Sequence, residues 1–211
     1  MTAGRTNKGK SHSEQVRDYY KFHSYVYDAS RWTFLFGRNK ILKMIPPLPP
    51  QARILEIGCG TGRNLKRLRN RFPSTQITGI DLSSDMLKVA RKRVKGTKRI
   101  QLINADYLSG DLELKSFDLI LLSYSLTMFG HHGEYILERI SQNLKPGGYV
   151  AVVDFNTSPV EWFRRWMNLN HVDFSGSFLP LLQQKFDVVE TEVNEVYLGL
   201  WNYFLFVGRQ L

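Results

Sequence analysis

A single cysteine, Cys59, stands in 211 residues. It can form no intramolecular disulfide and no cysteine-based metal cluster, and no metal is expected. No apolar run is long enough to span a bilayer, and the first residues are polar, without the apolar core of a signal peptide. The expectation is a soluble, cytoplasmic protein. Proline is sparse outside one place. Four of the eight prolines fall in Pro46-Pro47-Leu48-Pro49-Pro50, a stretch that ends whatever precedes it and acts as a stiff linker.

Acid is the scarce charge. Asp and Glu number 19 against 29 Lys and Arg, for a net charge of +10. The shortage is local. Arg63, Lys66, Arg67, Arg69 and Arg71 form one basic cluster, and Lys88, Arg91, Lys92, Arg93, Lys95, Lys98 and Arg99 form another. Neither has an acid interleaved. Such clusters are solvated helix faces or surfaces that attract a polyanion, whether nucleic acid or an anionic membrane.

Residues 1–13 are polar and basic and read as a flexible tail. Residues 14–45 carry apolar residues at three- and four-residue spacing, so a helical segment attached to the main domain is expected there. From 46 to 211 the pattern alternates. Apolar strands are expected at Arg53–Ile57, Gln76–Asp81, Arg99–Asn104, Phe117–Ser123, Tyr149–Phe155, Phe186–Val193 and Leu200–Gly208. Helical stretches at 62–72, 84–94, 134–144 and 159–168 separate most of them. Lys145-Pro146-Gly147-Gly148 reads as a turn. The pattern predicts an α/β fold with a doubly wound, mostly parallel seven-stranded sheet. The link between the last two strands is too short for a parallel crossover, so the last strand should run antiparallel.

The chain is organised around Arg53-Ile-Leu-Glu-Ile-Gly-Cys-Gly-Thr-Gly-Arg63, a buried strand that breaks into a glycine turn and opens a helix. That layout binds nucleotide-like cofactors at the carboxyl edge of a sheet. The glycines Gly58, Gly60 and Gly62 fall at every second position. A dinucleotide fingerprint would place its third glycine one residue later, so the pyrophosphate it cradles has no seat here. Glu56, two residues before the first glycine, suits a cofactor that carries an amino group or cation. Asp81 ends the second strand, where a carboxylate can accept both ribose hydroxyls. After the third strand, Asn104-Ala-Asp106-Tyr107 can set Asp106 on an adenine amine and Tyr107 beside its ring.

The series ILEIGCGTG, GIDLS, NADY, FDLILLSYSL and LKPGGYV resembles the class I S-adenosylmethionine-dependent methyltransferases, from about Ala52 onward. The resemblance implies S-adenosylmethionine as cofactor and adds Leu82, Met86 and Ser123 to its binding set. A narrower likeness lies in the flanks. Tyr19 to Arg38, Ser123 to Met128, Val153 to Phe155 with Trp162 and Phe163, and Gly199 to Gly208 are similar to diacylglycerylhomoserine N-methyltransferases of betaine-lipid synthesis. Phe129 to Gly133 and Asn170 to Phe174 depart from that pattern.

What this narrower resemblance implies is repeated methyl transfer to the amine of a lipid headgroup or other small amphiphilic amine. An unprotonated amine must be positioned and desolvated, and the quaternary product is stabilised by aromatic faces. Tyr27, Trp32 and Tyr124 are the expected amine pocket. His171 is a candidate for contacting the acceptor carboxylate or relaying a proton. A lipid acceptor would also account for the basic clusters and for the aromatic stretch at Trp162, Phe163 and Trp166, as parts that meet an anionic membrane surface. The alternatives are a phosphatidylethanolamine or quinone-precursor methyltransferase, an RNA methyltransferase and a non-catalytic cofactor-binding scaffold. Against nucleic acid as partner, no N-P-P-[YF]-like segment follows the fourth strand.

Overall fold

The computed structural model describes residues 35–109, 115–169 and 175–211. Seven strands form one sheet: β1 (Arg53–Ile57), β2 (Gln76–Asp81), β3 (Ile100–Asn104), β4 (Phe117–Ser123), β5 (Leu144–Phe155), β6 (Asp187–Val196) and β7 (Trp201–Arg209). The order is β3-β2-β1-β4-β5-β7-β6. All neighbours are parallel except β7, which runs antiparallel to both β5 and β6. The expected sheet and its antiparallel last strand are present.

Side chains alternate across the central strands, and both faces are covered. Leu119 and Leu121 of β4 point to one side and Ile120 and Leu122 to the other, all fully buried. The helices α1 (Arg38–Met44), α2 (Arg63–Arg71), α3 (Ser84–Arg93) and α5 (Glu161–Leu169) cover the first face through Ile41, Leu65, Leu87 and Phe163. The second face is covered by α4 (Gly133–Asn143) and α6 (Phe178–Lys185), through Ile136, Ile140, Phe178 and Leu182. Helix α1 falls within the expected helical segment, yet it packs into the core of the sheet domain. Residues 14–34 of that segment lie outside the described residues.

Three departures from the expected elements have local causes. Lys145 to Gly148 belongs to β5. The strand begins at Leu144 opposite Phe117, and pairing then jumps to Leu119 with Tyr149, so the glycines form an irregularity within it. A 3-10 stretch spans Leu126–His132, bent at Gly130. Helix α6, with Pro180 inside its first turn, was not expected.

Strand β1 lies between β2 and β4, and the chain winds away from it in both directions. That reversal opens a crevice at the carboxyl edge of the sheet, where open α/β sheets bind ligands.

Candidate functional site

Strand β1 ends at Ile57, and the chain turns sharply through Gly58, Gly60 and Gly62, all at positive φ. The three glycines are needed for different reasons. A Cβ at Gly58 would stand 2.6 Å from the Ser125 Cβ, and one at Gly62 would stand 3.1 Å from the Ala90 Cβ. Those two make room for protein. A Cβ at Gly60 would meet nothing within 4 Å, so Gly60 alone presents bare backbone to open space, where a ligand can come close. The loop is tied to β2. Gly58 and Cys59 donate their N–H groups to the Ile80 carbonyl at 2.9 and 3.0 Å.

Asp81 closes the loop from the end of β2. One carboxylate oxygen accepts from Gly60 N–H at 2.7 Å and the other from Ser83 N–H at 2.8 Å. Burial raises its pKa, and the two backbone donors oppose the rise. Each oxygen keeps a second lone pair for a further hydroxyl donor. Leu82 is half-buried, and its carbonyl accepts from Asn104 Nδ2 at 3.0 Å. Met86 is buried in the first turn of α3, where its N–H donates to the capping Ser83 hydroxyl at 3.3 Å.

Glu56 is the unusual group. It is 2% exposed, and Oε1 accepts from Asn64 Nδ2 at 2.8 Å. Oε2 is buried and has no hydrogen-bond partner among the described residues. Burial pushes the carboxyl up to about 8, against the Asn64 hydrogen bond and the positive charge of Arg38. A buried acceptor without a donor is costly. This one is suited to a cation.

Arg38 and Asn64 are contributors that the sequence did not single out. Arg38, at the start of α1, donates from Nε to Ser123 Oγ at 3.2 Å, and its guanidinium lies 6.0 Å from the Tyr124 ring centre. It therefore brings a positive charge to the ends of β1 and β4. Asn64 sits in the first turn of α2, where its amide reaches back to Glu56.

Other expected residues take different places. Ser123 is buried at the end of β4. Tyr124 follows it at φ 58, a left-handed conformation that is uncommon for a non-glycine residue and marks a constrained site. The Tyr124 ring packs on Phe155 with centroids 4.7 Å apart, and its hydroxyl donates to the Phe36 carbonyl at 2.8 Å. It thus anchors the segment before α1 to the site edge. Asp106 is half-buried and accepts from Leu108 N–H at 2.9 Å.

Tyr107 is held in the core rather than at the open edge. Its ring is 3% exposed in the second core cluster, and its hydroxyl donates to Asn143 Oδ1 at 2.8 Å. Burial pushes the phenol up. The ring packs in the core beside α4. Tyr27, Trp32 and His171 lie outside the described residues.

Residues 54–148 match the family described as methyltransferase domain. The chain carries an S-adenosylmethionine-dependent methyltransferase domain of class I. A demethylmenaquinone methyltransferase from Clavibacter sepedonicus is 26% identical over 172 residues, which cover 79% of this chain and 69% of that protein. A trans-aconitate 2-methyltransferase from Deinococcus radiodurans is 35% identical over 113 residues, 53% of this chain and 41% of that one. The chain thus spans about two fifths of the latter's length. Among solved structures, phosphoethanolamine N-methyltransferase 2 from Haemonchus contortus, bound to phosphomonomethylethanolamine and S-adenosylhomocysteine, superposes with a TM-score of 0.77 at 18% identity. The superposition covers 92% of this chain and 60% of that one. At that identity the likeness speaks for the fold.

The residues of the methyltransferase domain fit the cofactor. The orphaned Glu56 Oε2 suits an ammonium, the open face of Gly60 suits close approach, and Asp81 retains acceptor capacity for ribose hydroxyls. Arg38 supplies a cation of the kind a carboxylate requires.

Proposed function

We propose that the methyltransferase domain methylates the amine of a lipid headgroup, with diacylglycerylhomoserine as acceptor and the trimethylated betaine lipid as product. When bound, S-adenosylmethionine supplies an electrophilic methyl group on a sulfonium. Each transfer would exchange the S–C bond for an N–C bond and release the neutral thioether; the first two ammonium products would lose a proton to solvent, and the third, with no N–H left, would keep its charge. The chain's part is to hold the cofactor by Glu56, Asp81 and the Gly60 backbone, to position the amine and to keep water from it.

The observation that supports this reading is a pair of exposed rings, Phe36 and Tyr197, beside a buried aromatic cluster at the ends of β4 and β5. Phe155 lies 4.7 Å from Tyr124 and 5.2 Å from Trp201 between ring centres, and Trp201 lies 6.0 Å from Tyr203. Phe36 adds a ring 6.4 Å from Tyr203 and 5.9 Å from Tyr197, and both Phe36 and Tyr197 keep exposed surface. Aromatic faces favour a quaternary ammonium by about 0.5–2 kcal/mol each, more where water is excluded. Tyr27 and Trp32 belong to the same proposed amine pocket, and His171 to the acceptor's polar end. The phosphoethanolamine N-methyltransferase neighbour also acts on an amine.

An anionic membrane surface is the proposed meeting place with the acceptor. On α5, Trp162 and Trp166 are 66% and 48% exposed, and Arg165 is exposed beside them. Tryptophan and arginine together suit an interface. A quinone precursor is the second acceptor, favoured by the demethylmenaquinone methyltransferase relative.

The test is transfer of labelled methyl from S-adenosylmethionine, with the full chain, into a lipid extract, a quinone-precursor fraction and total RNA. Counts in amine-bearing lipid are expected. Counts confined to the quinone fraction or to RNA would overturn the lipid reading. Cofactor binding with no transfer to any of the three would favour a scaffold.

A further inference from the structure

Between α2 and α3 lies a shallow groove of about 330 Å³, open to solvent and lined by Arg63, Lys66, Arg67, Asn70 and Arg93. Four of its five lining residues are cations, and among the described residues no carboxylate lines it. The first four residues sit at positions i, i+3, i+4 and i+7 of α2 and so share one face of that helix. Arg93 comes from the last turn of α3.

Cations gathered around a concavity raise the local concentration of anions there. Two of the cations are held in place. Arg93 Nη1 donates to both the carbonyl and the hydroxyl of Thr61, each at 2.6 Å. Arg67 Nη1 donates to Asn64 Oδ1 at 3.5 Å, and the same Asn64 amide holds Glu56. Asn70 is oriented too. Its amide oxygen accepts from Arg69 Nε and Nη2 at 3.3 and 3.1 Å, which turns the NH₂ end into the donor.

The groove therefore combines pre-positioned guanidinium groups, an exposed ammonium and an amide donor. Guanidinium forks match the tetrahedral, multiply charged oxygen set of a phosphate. Among the described residues no aromatic ring lines the groove, so they offer no stacking platform of the kind single-stranded nucleic acid uses. We propose that the groove between α2 and α3 is a binding site for a phosphate group, held by Arg63, Lys66, Arg67 and Arg93 with Asn70 as amide donor. The phosphate group belongs to a lipid headgroup or to a small soluble phosphate. This site shares no residue with the proposed acceptor pocket and does not depend on which amine is methylated.

The test titrates the full chain by calorimetry with inorganic phosphate and pyrophosphate, and separately by co-sedimentation with phosphatidylglycerol vesicles against phosphatidylcholine vesicles. Two charge-reversed variants are compared. Lys66→Glu lies in the groove, and Lys98→Glu lies on the exposed turn after α3, outside it. The expected result is saturable binding in one arm that Lys66→Glu weakens roughly tenfold or more and Lys98→Glu leaves within about twofold. Loss in the calorimetric arm assigns a soluble phosphate, and loss in the vesicle arm assigns a headgroup. Equal weakening by both variants would reduce the effect to net charge and overturn the site, as would the lack of saturable binding in either arm. Unchanged S-adenosylhomocysteine affinity in Lys66→Glu checks that the variant is folded. Should that control fail, Asn70→Asp makes the same comparison with a smaller change.

Discussion

Two carboxylates are buried at the carboxyl edge of the sheet, Asp154 near the end of β5 and Glu56 near the end of β1. Asp154 is saturated. One oxygen accepts from Thr127 Oγ1 at 2.7 Å and Phe155 N–H at 2.8 Å, the other from Leu126 N–H at 2.7 Å and Thr127 N–H at 3.3 Å. Burial raises its carboxyl to about 6, against the pull of those donors. Glu56 has one donor, Asn64, and an oxygen with none among the described residues, and burial raises it further, to about 8. Burial is alike, so donor supply makes the difference. A carboxylate whose lone pairs are filled by its own chain is a structural tie, here between β5 and the 3-10 stretch after β4. A carboxylate left half-filled is prepared for a ligand that brings its own donor.

Removing each group should expose that difference. Asp154→Ala leaves four donors without their acceptor, and a loss of roughly 4 kcal/mol in unfolding free energy is expected from denaturant titration. A loss below about 1 kcal/mol would show that Asp154 is not the tie described. Glu56→Gln should behave in the opposite way. It removes a buried ionisable group with an unsatisfied oxygen, so the ligand-free protein should keep or gain stability. Its affinity for S-adenosylhomocysteine should fall about 100-fold, the worth of one desolvated charge-assisted hydrogen bond.

Acidity sharpens the contrast. The folded-state value of Glu56, about 8, lies above its ordinary value of 4.5. Its contribution to the stability of the ligand-free protein is therefore full below about 4.5 and is lost as pH rises through about 8. Binding an ammonium needs the ionised form. Affinity for S-adenosylhomocysteine should thus weaken by up to tenfold for each pH unit below about 8, with a proton released on binding. Glu56→Gln should flatten that dependence. The smallest effect belongs to Tyr107→Phe, which removes the hydrogen bond to Asn143. It should cost about 1 kcal/mol of stability and leave cofactor affinity unchanged. A large loss of affinity instead would place Tyr107 on the ligand side.

The sheet and the glycine turn were legible because their signals are local. Apolar runs such as Leu119 to Leu122 and the spacing of Gly58, Gly60 and Gly62 need no distant partner to be read. Glu56 and Asp81 were legible for the same reason, since each stands at a fixed offset from the turn. What a linear reading cannot supply is the side chain's eventual partner. Tyr107 follows Asp106 in the chain, but its hydroxyl meets Asn143, 36 residues on. Arg38 reaches Ser123 across 85 residues, and Thr127 reaches Asp154 across 27. Asn64, in the first turn of α2, reaches back across the glycine turn to Glu56 on β1, and nothing in its neighbours marks it. Helix α6 is eight residues long with a proline inside, too short and too interrupted to show a period.

The central claim is that Glu56 Oε2 waits for the cofactor's ammonium. The direct measurement is a calorimetric cycle with wild type and Glu56→Gln against S-adenosylhomocysteine and its analogue lacking the α-amino group. Wild type should lose about 100-fold in affinity when the amino group is removed. Glu56→Gln should bind both ligands with the weaker affinity, leaving nothing further for the missing amine to cost. Equal affinity of wild type and Glu56→Gln for S-adenosylhomocysteine would contradict the account.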